Sequence, residues 1–277
     1  MNRRDFLKVA GLTALTFSGC SNFPSEEVAK YLRKTRTREE NITKIYGELP
    51  NHLLVFNTLS EVIFPYPKID DDDLVLLNFD LEFDKKMELK GKGAGIVLGG
   101  KMVTLAHIIN MYTSPKKAVF GKPNKIVEKY VSPTVFSREV FLNNTLLQEI
   151  RLNNEDDIAV YTLPEGLRFS DFPAKASENV KLGEEVFLIG TPLMLTSNTR
   201  RGYVSDLDGI KGFSPPFKDE KTFFGTDITL YRGDSGCPVV NSNLELLGIG
   251  SFVLADTNNN SGLGYFKRIG EFLKYTK

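Results

Sequence analysis

From residue 74 onward, apolar and polar positions alternate in short runs. Period-two stretches occur at 74–83, 94–97, 103–106 and 158–163, and again at 185–189, 202–207, 227–230, 238–240 and 246–252. Such runs, separated by turn residues and lacking a 3.6-residue period, predict the strands of a barrel or sandwich. Between the two sets, residues 164–179 are rich in Pro, Ser and charge and read as a linker. A helical period is predicted over 266–275, where Ile269, Phe272 and Leu273 share a face. Upstream of 74 the pattern changes. Residues 53–64 are apolar enough to pack against the strands, and Pro65-Tyr66-Pro67 interrupts them. Asp70 to Asp73 reads as a solvated acidic turn, without the spaced ligands and glycine of a calcium loop. Residues 21–45 carry the dense charge run from Arg33 to Glu40 and predict a solvated tether or a short exposed helix.

Composition narrows the function classes. The chain has 277 residues, 41% hydrophobic and 25% charged, as an ordinary soluble protein does. Lys+Arg and Asp+Glu each total 35, so no nucleic-acid or polyanion partner is expected. No cofactor and no metal are expected either. The two cysteines are Cys20 and Cys237.

Cys20 closes an N-terminal address. Met1-Asn2-Arg3-Arg4-Asp5-Phe6-Leu7-Lys8 resembles a twin-arginine export signal, and residues 9–18 form an apolar run about half a membrane span long. The ending Phe17-Ser18-Gly19-Cys20 resembles a bacterial lipobox, which implies lipidation of Cys20 and attachment to a membrane. The resemblance implies an exported protein of the cell envelope, in the periplasm or at the cell surface, with residues 1–20 as its signal. Cys237 is then alone in the mature body, so the fold rests on its core rather than on a disulfide.

Three segments carry candidate chemistry. Gly233-Asp234-Ser235-Gly236-Cys237-Pro238 sets a serine between turn-forming glycines. Val103-Thr104-Leu105-Ala106-His107 ends an apolar run on one of the two histidines, and Asp156-Asp157 precedes the run Ile158-Ala159-Val160-Tyr161. A serine hydroxyl needs a positioned base, a histidine suits that task near neutral pH, and a buried carboxylate fixes the histidine tautomer. Each residue alone has an ordinary structural reading. Together, in the order His, Asp, Ser, they resemble the chymotrypsin-like serine proteases, more narrowly the bacterial trypsin-like and HtrA (Deg) branch. The flanks extend this resemblance: Gly93 to Gly100 is similar to the hairpin that delivers the histidine, Val180 to Pro192 to the start of the second barrel, and Leu246 to Ser251 to the strand after the serine.

That resemblance implies an all-β fold of two six-stranded Greek-key barrels with the active site in the cleft between them, plus an N-terminal extension. The first barrel would cover about 74–165 and the second about 178–277, with 21–73 as tether and extension. His107, Asp157 and Ser235 would be the catalytic residues of a serine endopeptidase, and the N–H groups of Gly233 and Ser235 its oxyanion hole. Thr229 would form the base of the primary substrate pocket, with Ser251, Phe252 and Gly264 at its walls. An uncharged Thr229 argues against a tryptic preference. Partners would be protein or peptide substrates, with the oligomeric state left open. With the body running to Lys277, no PDZ-type domain is expected. A catalytically silent protease fold acting as a binding module is the alternative. A general esterase is not, because its usual fold carries the order Ser, acid, His. Arg232 and Asp234 pose separate questions. Trypsin-type zymogens pair the equivalent of Asp234 with a freed N-terminus, and the sequence offers no such partner.

Overall fold

The structure is a computed structural model and describes residues 25–69, 74–79, 82–111, 115–166, 169–192, 196–208, 222–255 and 262–276. Cys20, the signal and the Asp70–Asp73 turn lie outside the described residues. In chain order come α1 (Ser25–Gly47), a 3-10 turn (Leu49–His52), β1 (Leu54–Ile63), β2 (Val75–Asn78), β3 (Lys86–Leu98), β4 (Lys101–Thr104) and α2 (Ala106–Ile109). Next are β5 (Lys116–Lys122), β6 (Lys125–Val131), β7 (Thr134–Leu142), β8 (Thr145–Leu146), β9 (Gln148–Asn153) and β10 (Ile158–Thr162). The second half holds β11 (Lys175–Ala176), β12 (Glu185–Gly190), β13 (Asn198–Asp206), β14 (Phe223–Thr226), β15 (Pro238–Asn241), β16 (Glu245–Ala255), β17 (Gly262–Arg268) and α3 (Ile269–Thr276).

The chain divides into two compact units at Lys44. Described residues of the first lie on α1, where Arg36 pairs with Glu40 at 2.9 Å and Thr37 Oγ1 donates to the Arg33 carbonyl. One-turn contacts of this kind suit a polar, exposed helix. All remaining structure belongs to the second unit.

The architecture is the all-β double barrel. In the second half, β12, β13, β14, β17, β16 and β15 pair in a ring, so six strands close completely and no edge is left. Its interior is filled by Val186, Leu188, Val204, Phe224, Val239, Leu247 and Phe266, all buried. The first half is a half-barrel. Its main sheet runs β8-β7-β1-β3-β4-β10-β9, and β2-β5-β6 form a separate sheet. Val62, Phe64, Ala118 and Phe120 make its core, with Phe79 stacked on Phe83 at 4.1 Å.

Several expectations shift. Residues 54–63 are no part of an extension: β1 lies between β3 and β7, paired along its full length with β3, so the first sheet begins before residue 74. Its alternating burial follows from one face meeting the core. Among the described residues of 74–83, the strand comprises Val75–Asn78, and all four of its residues are exposed. Residues 227–230 are not a strand. Asp227 Oδ1 accepts the Tyr203 N–H at 2.6 Å and Thr226 Oγ1 accepts the Ile228 N–H at 3.1 Å, so side chains displace the ladder there. The C-terminal helix starts at Ile269, because 262–268 close the second barrel as β17.

β3 joins the two halves. Residues 86–92 of this strand alternate between solvent and interior, but from Ala94 to Leu98 every residue is buried. Ala94 packs with the core of the second barrel although it belongs to the first sheet.

Candidate active site

Where the two halves meet, β4 delivers the short helix α2, and His107 is its second residue. The neighbours Ala106, Ile108 and Ile109 are buried, whereas 45% of the His107 side chain is exposed. Apolar anchors thus hold the helix and leave the imidazole at the surface of the cleft.

Asp157 approaches from the turn between β9 and β10. Asn153 Oδ1 accepts the N–H groups of Glu155 and Asp156 at 3.0 and 3.1 Å, which closes a side-chain-capped turn. Asp157 leaves it in the left-handed region at φ 53°, an uncommon setting for a residue other than glycine. Its carboxylate, 3% exposed, turns inward. Oδ2 lies 2.9 Å and Oδ1 3.1 Å from His107 Nδ1, and Oδ1 also accepts the His107 backbone N–H at 2.8 Å. Asp156 points elsewhere, accepting from Asn153 Nδ2 at 2.5 Å.

Ser235 stands in the turn before β15. Gly236 follows at φ 87°, and a Cβ there would collide with the Ala94 carbonyl of β3 and come within 2.9 Å of Thr104 Oγ1. Only glycine lets the nucleophile turn press this closely on the other half. Thr104 Oγ1 is itself donated to the Ala94 carbonyl at 2.6 Å, and the Gly236 N–H goes to the Gly250 carbonyl at 2.9 Å. Gly233 lies at φ 102°, with its carbonyl accepting from Thr191 Oγ1 at 2.8 Å. The Asp234 and Cys237 N–H groups are spent on the Tyr231 and Asp234 carbonyls. Those of Gly233 and Ser235 donate to no acceptor among the described residues.

Ser251, on β16, links the serine to the Asp-His pair. Its carbonyl accepts the Ser235 hydroxyl at 3.1 Å, and its own hydroxyl donates to Asp157 Oδ2 at 3.2 Å. Ser235 Oγ makes no hydrogen bond to the His107 ring among the described residues. Asp157 therefore contacts both His107 and Ser251, and Ser235 is joined through Ser251.

The remaining expected residues make the following contacts. Ser251 donates its hydroxyl to Asp157. Phe252 stacks on Tyr265 at 5.3 Å and meets Phe223 edge-on at 5.4 Å. Gly264 sits on β17, where a Cβ would strike the Ile228 carbonyl and approach Leu230. The Thr229 carbonyl accepts from Arg200 Nη1 at 2.7 Å. Cys237 is wholly buried below the turn, 3.5 Å from Thr191 Oγ1, and burial pushes its thiol up to about 12. Arg200 is the residue the sequence did not single out. It lies 35 positions before Ser235 on a strand of ordinary pattern, and only folding places it under the turn.

Comparison with known proteins bears on this geometry. Residues 93–249 match the family model described as Trypsin-like peptidase domain. A probable serine protease do-like of Buchnera aphidicola (subsp. Acyrthosiphon pisum, strain APS) is 28% identical over 188 residues, 66% of this chain and 34% of the relative. The periplasmic pH-dependent serine endoprotease DegQ of Escherichia coli (strain K12) is 23% identical over 201 residues, 72% of this chain and 39% of the relative. The chain thus spans well under half the length of these curated relatives. Among solved structures, an HtrA-type protease, AlgW, with a decapeptide superimposes with a TM-score of 0.58 at 15% identity, covering 85% of this chain and 64% of that one. That likeness is one of fold. The family match extends over more than half of the sequence and places the chain in the trypsin-like peptidase family.

Proposed function

We propose that the chain is a serine endopeptidase that cleaves protein or peptide substrates through an acyl-enzyme. The observation that carries this reading is the buried Asp157 carboxylate, which accepts from both the ring and the backbone of His107 and reaches Ser235 through Ser251. With the Nδ1 proton donated to Asp157, the lone pair of Nε2 is free to take the Ser235 proton. The hydroxyl now held by the Ser251 carbonyl turns to the imidazole when substrate enters; such bonds often tighten only in the complex. Ser235 Oγ attacks the scissile carbonyl, and the Gly233 and Ser235 N–H groups receive the oxyanion. His107 passes its proton to the leaving amine, and water then repeats the sequence to release the acid.

The pocket before the scissile bond is apolar on this reading, with Leu230 beside Gly264 and no charge at Thr229. Small or medium apolar side chains suit it. The two relatives compared above carry protease names, and DegQ is named periplasmic; together with the N-terminal pattern this supports export to the cell envelope and a lipid anchor at Cys20.

The test is reaction of the purified body with a fluorophosphonate, with the modified residue mapped by mass spectrometry. Labelling at Ser235, lost in His107→Ala, supports the endopeptidase reading. A folded protein that neither labels nor cleaves peptide esters would move the chain to the silent binding module.

A further inference from the structure

His107 and Asp157 reach each other from two separate elements, and a chain of side chains ties those elements together a second time. Helix α2 stops after one turn, and Asn110 closes it: its N–H donates to the Ala106 carbonyl at 2.9 Å, with φ −92° and ψ 8°. The Asn110 side chain, on a residue only 9% exposed, donates through Nδ2 to Asn154 Oδ1 at 2.5 Å. Asn154 belongs to the turn between β9 and β10 that delivers Asp157 three residues later. From the other side, Arg138 of β7 donates through Nη1 to Asn110 Oδ1.

These three side chains fit together in one sense. A guanidinium carries donors alone, so the oxygen of the Asn110 amide must face Arg138, and its nitrogen is left for the Asn154 oxygen. The chain also spans places that main-chain pairing does not reach. β4 and β10 pair as far as Thr104 and Ala159, then diverge into α2 and the Asp157 turn. In the sheet order β8-β7-β1-β3-β4-β10-β9, β7 and that turn are connected the long way round, through β1, β3, β4 and β10. Asn153 shapes the turn from within, whereas Asn110 holds it against the helix. The Asp157 carboxylate must meet both the ring and the main chain of His107, and a displacement of about 1 Å at a catalytic contact can lower a rate about 100-fold.

We propose that Asn110 is a positioning residue for the Asp157–His107 pair: with its amide oriented by Arg138, it clamps the Asp157 turn, through Asn154, onto the helix that bears His107. This rests on the endopeptidase reading. Asn110 acts through the two elements it joins, so its effect falls on turnover rather than on substrate binding.

The experiment measures peptide-ester hydrolysis, the thermal midpoint and the proton NMR signal of His107 Nδ1–H in wild type, Asn154→Ala, Asn110→Ala, the double variant and Asn110→Asp. Asn154 is exposed, so Asn154→Ala should fold as wild type does. It should lose about tenfold in kcat, the rate equivalent of one hydrogen bond, with KM within about twofold. Asn110→Ala should lose a similar factor, and the double variant should be no more than about threefold worse than either, because both changes remove one contact. Asn110→Asp should stay within about threefold of wild type, because a carboxylate still accepts from Arg138, and from the Asn154 amide once its nitrogen turns inward. In Asn154→Ala the Nδ1–H signal should broaden as its proton exchanges faster with water. A merely structural contact would lower the thermal midpoint and leave kcat and that signal unchanged. Wild-type kcat with an unbroadened signal in Asn154→Ala would overturn the proposal, as would additive losses in the double variant. If wild type itself neither labels with fluorophosphonate nor hydrolyses, the endopeptidase reading falls, and the Nδ1–H signal in Asn154→Ala still decides whether the clamp holds the pair.

Discussion

Asp157 holds His107 at two places at once, the ring through Nδ1 at 2.9 Å and the main chain through the His107 N–H at 2.8 Å. The double attachment fixes both the tautomer and the position of the helix that carries the imidazole. Asp157 turns inward because it sits at φ 53° at the end of a turn, so the choice between adjacent aspartates is made by the turn rather than by strand alternation.

Asp157→Asn should lower kcat by about four orders of magnitude, because an amide donor in place of the carboxylate favours the wrong tautomer. Asp156→Asn, whose carboxylate bonds Asn153, should change kcat by less than about threefold. Steady-state kinetics on one ester substrate decides; a crippled Asp156→Asn would reverse the assignment.

Ser235→Ala and His107→Ala should each reduce kcat by roughly six orders of magnitude while the thermal midpoint stays nearly fixed. The double variant should be little worse than either, since the two act as one unit. Additive losses, measured on purified folded proteins, would show independent roles.

Cys237 should be inert in the native state. Burial raises its thiol to about 12, so the thiol form dominates near neutral pH. Iodoacetamide should leave the folded protein unmodified for hours and label it fully in denaturant, as read by intact mass. Rapid native labelling would revive a redox role.

Lys267 is 2% exposed, with Nζ 4.5 Å from the Phe223 ring centroid. Burial holds its pKa below the usual lysine value, opposed by the charge of Asp157. Between that lowered value and 10.5 the unfolded chain binds more protons, so stability rises with pH across this window and the cost of the buried charge is present below it. Lys267→Met should therefore stabilise the protein at pH 7, by on the order of 1 kcal/mol, and the gain should shrink toward pH 10.5. Urea unfolding at several pH values measures it; a gain constant with pH would point to packing instead.

Wild type should partition with membranes and take up labelled fatty acid, and Cys20→Ala should do neither, because acylation of the bacterial type anchors stably. A soluble, cleaved and unlabelled wild type would reduce the segment to an ordinary export signal.

The all-β class and the candidate residues His107, Asp157 and Ser235 were legible in the sequence, because each depends on local features: a period of two, glycine beside serine, an aspartate before an apolar run. Local pattern also misled. Among the described residues of 74–83 the strand is Val75–Asn78 and exposed, and 227–230 alternates although Asp227 and Thr226 take the ladder bonds for their own side chains. The placement of β1 inside the first sheet, the closure of the second barrel through β16 and β17, and the half-open state of the first were decided by pairings between residues far apart in the chain. The same holds for Ser251, whose hydroxyl reaches Asp157 across 94 positions, and for Arg200 beneath Asp234. A single sequence records which groups are present, but hydrogen bonds and ion pairs depend on distances of a few ångströms, and those distances exist only once the two halves have packed against each other along β3.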